Sequence, residues 1–208
     1  MINMTRFYLG DRRDDAWISV GSTFGNHTIA CALLDSSEAL KGHPRGKVQV
    51  FNKATQEHET KEIFRVFKSH GKVPSFDPKV TKSYMHEGEE GEVPSRLKDV
   101  LKLAQNLFNP YFNQVTETLY EAPADWLEPH SDCSAKMIDK YSILVFGAGP
   151  ARTLDFFSRA TGEKVISIPY DSTAVHFGQM TNELYRHGVS KGTAGMLSTV
   201  SLSFRAFK

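Results

Sequence analysis

The strongest periodicity in the chain runs from residue 95 to 108. Leu97, Val100, Leu101, Ala104, Leu107 and Phe108 recur there at three- and four-residue spacing, which gives a helix one apolar face. Ser95 stands where a cap belongs, Asp99 near the positive helix end, and Asn109-Pro110 closes the segment. The spacing predicts an amphipathic helix packed on a sheet. Beyond Phe112 the period changes. Apolar or alternating runs at 115–120, 141–146, 152–157, 164–168, 173–177 and 200–207 are separated by turn residues such as Thr161-Gly162 and Gly147-Ala148-Gly149-Pro150. Short strands at such intervals predict an antiparallel sandwich or barrel. The Gly-x-Gly at 147 to 149 precedes no helical pattern, so it carries little phosphate-loop signal.

The first third is less regular. Phe7-Tyr8-Leu9, Trp17 to Val20 and Thr28 to Leu34 are predicted to be extended, separated by charges and glycines. Ser36-Ser37 is predicted to cap a short helix at 38–41 that Gly42 stops. Val48 to Phe51 alternates like a half-buried strand, and Ile63 to Phe67 is an apolar run with no evident partner. Residues 68–94 mix Lys68, Lys72, Lys79 and Lys82 with Gly71, Pro74 and Pro78, then end in an acidic run from Glu87 to Glu92. That composition predicts a long loop or lid whose charges are solvated.

Composition narrows the function classes only slightly. Lys+Arg 25 against Asp+Glu 24 in 208 residues leaves a net charge of +1, so the chain lacks the bulk positive charge of a general nucleic-acid binder, and only a local basic groove fits. Two cysteines, Cys31 and Cys133, are too few for a disulfide framework and suit a reducing compartment. No apolar stretch approaches the roughly 20 residues of a membrane span, and the N-terminus lacks a basic region followed by a long apolar run. The expectation is a soluble, intracellular, monomeric protein, cytoplasmic or nuclear, with no membrane partner. The length suits a single domain over 1–208, with 1–94 an N-terminal elaboration and substrate lid and 95–208 a helix plus catalytic core.

Candidate chemistry centres on Glu128-Pro129-His130-Ser131-Asp132. On an extended segment, side chains two residues apart share one face, so His130 and Asp132 converge. One distant histidine would complete a two-His, one-carboxylate set, which binds Fe(II) on one face and leaves positions open for substrate chemistry. His187, in Tyr185-Arg186-His187-Gly188-Val189, is the candidate, whereas His176 lies in Ala174-Val175-His176-Phe177 with the alternation of an ordinary strand and reads as structural. In 199–205, Val200, Leu202 and Phe204 share one face and Thr199, Ser201, Ser203 and Arg205 the other. An arginine turned into a barrel is costly unless an anion meets it, and a carboxylate matches its fork.

His-x-Asp, a distal His and then an Arg, in that order within a β-rich half, resembles the Fe(II)- and 2-oxoglutarate-dependent dioxygenases, and within them the AlkB family. The resemblance extends over most of 84–208. It includes Tyr84 before a loop and Pro94, the helix at 95–108, Phe112-Asn113, Tyr120 before His130, Phe146 to Leu154, Ile168-Pro169-Tyr170-Asp171-Ser172, Tyr185 to Val189, and Ser201 to Arg205. It implies a double-stranded β-helix, or jelly-roll, core that is mainly β with flanking helices. It further implies iron on His130, Asp132 and His187, with Arg205 holding the distal carboxylate of 2-oxoglutarate, Ser203 assisting, and Tyr120 lining the same pocket. Fe(II) would be the cofactor and 2-oxoglutarate and O₂ the cosubstrates. The substrate would be a modified nucleobase in DNA or RNA, oxidatively demethylated as in DNA repair.

The chain departs from that family at telling places. AlkB-like proteins usually carry Arg-x-Asn-x-Thr-x-Arg on the last strand, and here Thr199 and Ser201 occupy the first two of those positions. Many carry an acidic residue two positions after the metal aspartate, and here that place is Ser134. Tyr84, His86, Ser134 and Arg159 are the candidate substrate contacts, since a ring can stack on an extruded base and an arginine can grip phosphate. Ser134 and the near-neutral charge keep two other readings open. One is a hydroxylase of a free nucleoside, small metabolite or protein side chain; the other is a non-catalytic jelly-roll binding module.

Overall fold

The computed structural model describes residues 2–52, 55, 57–72, 82–85, 91–132, 134–149, 152–193 and 198–208. Its main layer is a seven-stranded antiparallel sheet. In spatial order the strands are β1 (Met4–Tyr8), β2 (Trp17–Ser22), β12 (Thr173–Gly178), β9 (Ser142–Ala148), β14 (Thr199–Arg205), β7 (Gln114–Tyr120) and β5 (Val66–Gly71). A four-stranded antiparallel sheet, β11 (Lys164–Pro169), β10 (Thr153–Ser158), β13 (Tyr185–Val189) and β8 (Leu127–His130), faces it. β4 (Glu57–Glu62), β3 (Lys47–Asn52) and β6 (Lys82–Met85) form a separate three-stranded sheet. The architecture is mainly β with flanking helices around a jelly-roll core.

Alternation assigns each side of the main sheet its own core. Ile143 and Val145 of β9 and Val175 and Phe177 of β12 point inward, where they meet Leu154 and Phe156 of β10. Leu144 and Phe146, with Val200, Leu202 and Phe204 of β14 and Val115 and Leu119 of β7, point outward under helices α1 (His27–Leu40) and α2 (Ser95–Leu107). Both helices lay an apolar stripe on that outer face, Ile29, Ala32, Leu33 and Leu40 from α1 and Leu97, Val100 and Ala104 from α2. Burying each of the larger of these side chains is worth about 1.5–3 kcal/mol.

Several N-terminal expectations change. Residues 28–34 are helical, not extended, because Ile29, Ala32, Leu33, Ser36 and Leu40 fall on one helical face. The cap is Asn26, whose side-chain oxygen accepts from the Ile29 N–H at 3.2 Å, while Ser36 lies inside the helix and donates to the Ala32 carbonyl at 2.7 Å. α2 begins at Ser95, but its cap position is Pro94 and has no side-chain hydrogen bond. The apolar run at 63–67 leads into β5, whose partner is β7. β1, β2 and β5 are strands of the main sheet, and α1 packs on it. Much of the expected loop at 68–94, including His86, lies outside the described residues. Among the described residues no helix is long and apolar enough to cross a membrane.

Candidate metal centre

His130 ends β8, and the pairing of β8 with β13 sets it directly opposite His187, with ring centroids 4.5 Å apart. Sequence-distant histidines thus meet through strand register. Asp132 lies just past β8, where its main chain is clamped from both sides. The Asp132 N–H donates to Asn182 Oδ1 at 2.9 Å, and Asn182 Nδ2 donates to the Asp132 carbonyl at 3.0 Å and to the Tyr141 hydroxyl at 2.8 Å. The Ser131 hydroxyl donates to the Tyr185 carbonyl at 3.2 Å and ties the same turn to β13.

The ligand atoms of His130, Asp132 and His187 all lie within 4.8 Å of one another. His130 Nε2 is 3.6 Å from Asp132 Oδ1, and His187 Nε2 is 4.0 Å from Asp132 Oδ2, too long for hydrogen bonds and close enough to share an ion. His130 Nδ1 lies 2.9 Å from the Glu128 carbonyl, an acceptor, so that nitrogen carries the proton and Nε2 offers its lone pair. Burial pushes His187 down to about 3, with the nearby Arg205 guanidinium acting in the same direction and Asp132 opposing it, so it is a neutral imidazole, the form that ligates metal. Among the described residues its buried Nδ1 has no hydrogen-bond partner, and the ring stands against Phe177 and Phe156. Burial opposes ionisation of Asp132, but attraction to Arg205 and a contribution from His130 outweigh it and hold the carboxyl well below the usual range. Two imidazoles and a carboxylate converging within 4.8 Å are a donor set that fits Fe(II).

Arg205 pairs with the carboxylate of the cluster. Its Nε donates to Asp132 Oδ2 at 2.8 Å and its Nη2 to Oδ1 at 3.2 Å. Its fork therefore faces the carboxylate between the histidines. Ser203 shares the inward face of β14 with it, and Tyr120 stands at the opposite end, paired with Thr199. Tyr120 is buried under the Arg152 guanidinium, which lies 5.3 Å from the ring centroid.

The fold matches the solved structure of OsALKBH1. That match covers 97% of this chain and 100% of the other, with a TM-score of 0.58 at 13% sequence identity, and 134 solved chains match in all. No protein-family model and no curated protein matches the sequence. At that identity the likeness to OsALKBH1 is one of fold.

Of the candidate substrate contacts, Ser134 opens an exposed 3-10 turn immediately after the metal cluster. Arg159 is exposed beside the start of β13 and donates to the Glu183 carbonyl at 3.0 Å. Tyr84 lies on β6, opposite Val48 in the three-stranded sheet. His176 is buried between the Trp17 and Phe108 rings and held down at about 4 by burial, away from the cluster of His130 and His187. Sequence reasoning overlooked Asn182. A polar residue placed just before the Tyr185-Arg186-His187 run was the available signal, but nothing in its spacing identifies a main-chain clamp.

Proposed function

We propose that this chain is an AlkB-like Fe(II)- and 2-oxoglutarate-dependent dioxygenase that oxidises a modified nucleobase in DNA or RNA, by oxidative demethylation. The observation that carries the reading is the convergence of His130, Asp132 and His187 between the two sheets, with Asp132 held ionised and His187 held neutral. The likeness in fold to OsALKBH1 supports it. When bound, iron with 2-oxoglutarate and O₂ supplies oxidation of a C–H bond coupled to decarboxylation to succinate, and a hydroxylated N-methyl group leaves as formaldehyde.

The residues divide the remaining work. His130 and His187 would hold the metal from neighbouring paired strands, and Asp132 would supply the anionic ligand. The Arg205 fork fixes the plane of that carboxylate, and Asn182 fixes its main chain, so little reorganisation is left for metal binding. The apolar wall of Phe156 and Phe177 keeps water from the inner side of His187. Arg159 and Ser134, both exposed, are the candidate contacts for a polynucleotide.

The test is incubation with Fe(II) and 2-oxoglutarate against a panel of modified oligonucleotides and nucleosides, read by mass spectrometry. The expected result is succinate together with a demethylated oligonucleotide, and oligonucleotide affinity that falls as salt rises, because phosphate contacts release counterions. Succinate formed only with free nucleosides or small metabolites, and salt-insensitive oligonucleotide binding, would reassign the substrate. No succinate under any condition would overturn the reading.

A further inference from the structure

A cavity of about 620 Å³ lies at β5, the terminal strand of the main sheet, away from the metal cluster. That volume falls in the range of pockets that take small organic ligands. It is bounded by the C-terminal end of α1 with the residues after it, by β5, and by the stretch that leads into α2. Val66 belongs to the outer core and His70 reaches Glu117 beneath the helices, so the cavity extends onto the helix side of the sheet. Arg205 and Asp132 meet on the opposite side.

The walls are apolar. Leu40 comes from α1, Pro44 from the turn after it, Val66 and Phe67 from β5, and Pro94 from the start of α2. Neighbours on a strand point to opposite faces, and Val66 and Phe67 both line the cavity because it wraps the edge of β5. Two proline rings and a phenyl group offer flat apolar surfaces, which suit a planar ring.

The polar groups in the lining set the sign of the ligand. Lys68 and His43 are both exposed, and among the described residues neither side chain has a hydrogen bond or an ion pair. Lys68 stands opposite Glu117 in register, but both oxygens of that carboxylate are already met by the Arg96 fork and His70 Nε2. Glu92 also lines the cavity; it is 90% exposed and pairs with Lys98 at 3.3 Å. The C-terminal end of α1 and the N-terminal end of α2 border the same space with opposed dipoles, so side chains decide the field. What stays uncompensated is the Lys68 ammonium, with the His43 imidazole as a further donor. A cation beside apolar walls attracts an anion more strongly than one in open water.

We propose that this cavity binds a small organic anion built as a planar ring with one acidic group, a phosphate monoester or a carboxylate. The ring lies among Pro44, Phe67 and Pro94, and the acid meets Lys68 and His43. The site is separate from the metal centre and does not depend on the chemistry done there.

The test is calorimetric titration of the full chain with AMP and with indole-3-acetate, each against its neutral counterpart, adenosine or indole. An acid that fits should bind at least about tenfold more tightly than its neutral counterpart, the usual return on a charge-assisted hydrogen bond, and should raise the melting temperature. The acid with the higher affinity tells a phosphate monoester from a carboxylate. Lys68→Met and His43→Leu, both at exposed positions, should each narrow the preference for the acid, and the double variant should erase it while still binding the neutral ring. Asp132→Ala should keep both the affinity and the preference. A preference retained in the double variant, binding lost in Asp132→Ala, or no binding of either acid to the wild type at millimolar concentration would each overturn the assignment.

Discussion

The two faces of the main sheet carry ion clusters of nearly the same composition, a carboxylate with histidine and arginine. On the outer face, Glu117 of β7 receives His70 Nε2 at 2.5 Å, Arg96 Nη2 at 2.7 Å and Arg96 Nη1 on its other oxygen, and it is wholly buried beneath the helices. On the inner side, Asp132 receives the Arg205 fork, but its two histidines stand off at 3.6 and 4.0 Å. His70 is a donor satisfying a carboxylate. His130 and His187 instead bring lone pairs toward a carboxylate, and three acceptors that converge repel one another until a cation joins them. Residue types alone do not separate a structural ion cluster from a metal site; the direction of the donors does.

The largest effect should come from breaking the satisfied cluster. Glu117→Ala strands Arg96 and His70 and is expected to cost about 3–5 kcal/mol in urea unfolding, with metal affinity unchanged in the protein that remains folded. Asp132→Ala should do the reverse, abolishing metal binding with a smaller stability loss, because the Arg205 side chain it releases is partly open to solvent. Equal stability losses in the two variants would remove the distinction.

Acid should sharpen the same contrast. Burial works against ionisation of Glu117, but hydrogen bonds from His70, Arg96 and Ser36 outweigh it and hold its carboxyl down from 4.5 to about 2. A carboxyl depressed by folding contributes stability that is complete above the unfolded value and lost as pH falls toward the folded one. Stability should therefore drop between about pH 4.5 and 2, by about 3 kcal/mol from this group. Urea midpoints measured across that window should fall less steeply in Glu117→Gln than in the wild type.

Much of the C-terminal half was legible because its physics is local. The period of α2 and the alternation of β7, β9, β10, β12 and β14 follow from side-chain spacing, and so does the inward row that ends in Arg205. The convergence of His130 with His187 was legible only as a motif order, since strand register brings them together. The N-terminal third was harder. Thr28 to Leu34 is rich in residues that suit either element, and its helix depends on a sheet face that no local pattern announces. The run at 63–67 needed β7 to become interpretable. The inward face of Arg205 was readable too, but its contact with the Asp132 carboxylate, which comes from across the barrel, was not.

The most direct measurement is an equilibrium titration of the wild type, His187→Ala and His70→Ala with Mn(II). The wild type and His70→Ala should bind the ion with the same affinity. His187→Ala should lose at least about 100-fold, more than the loss of a residue that only orients a ligand. Undiminished binding by His187→Ala, or loss confined to His70→Ala, would contradict the assignment of His130, Asp132 and His187 as the metal centre.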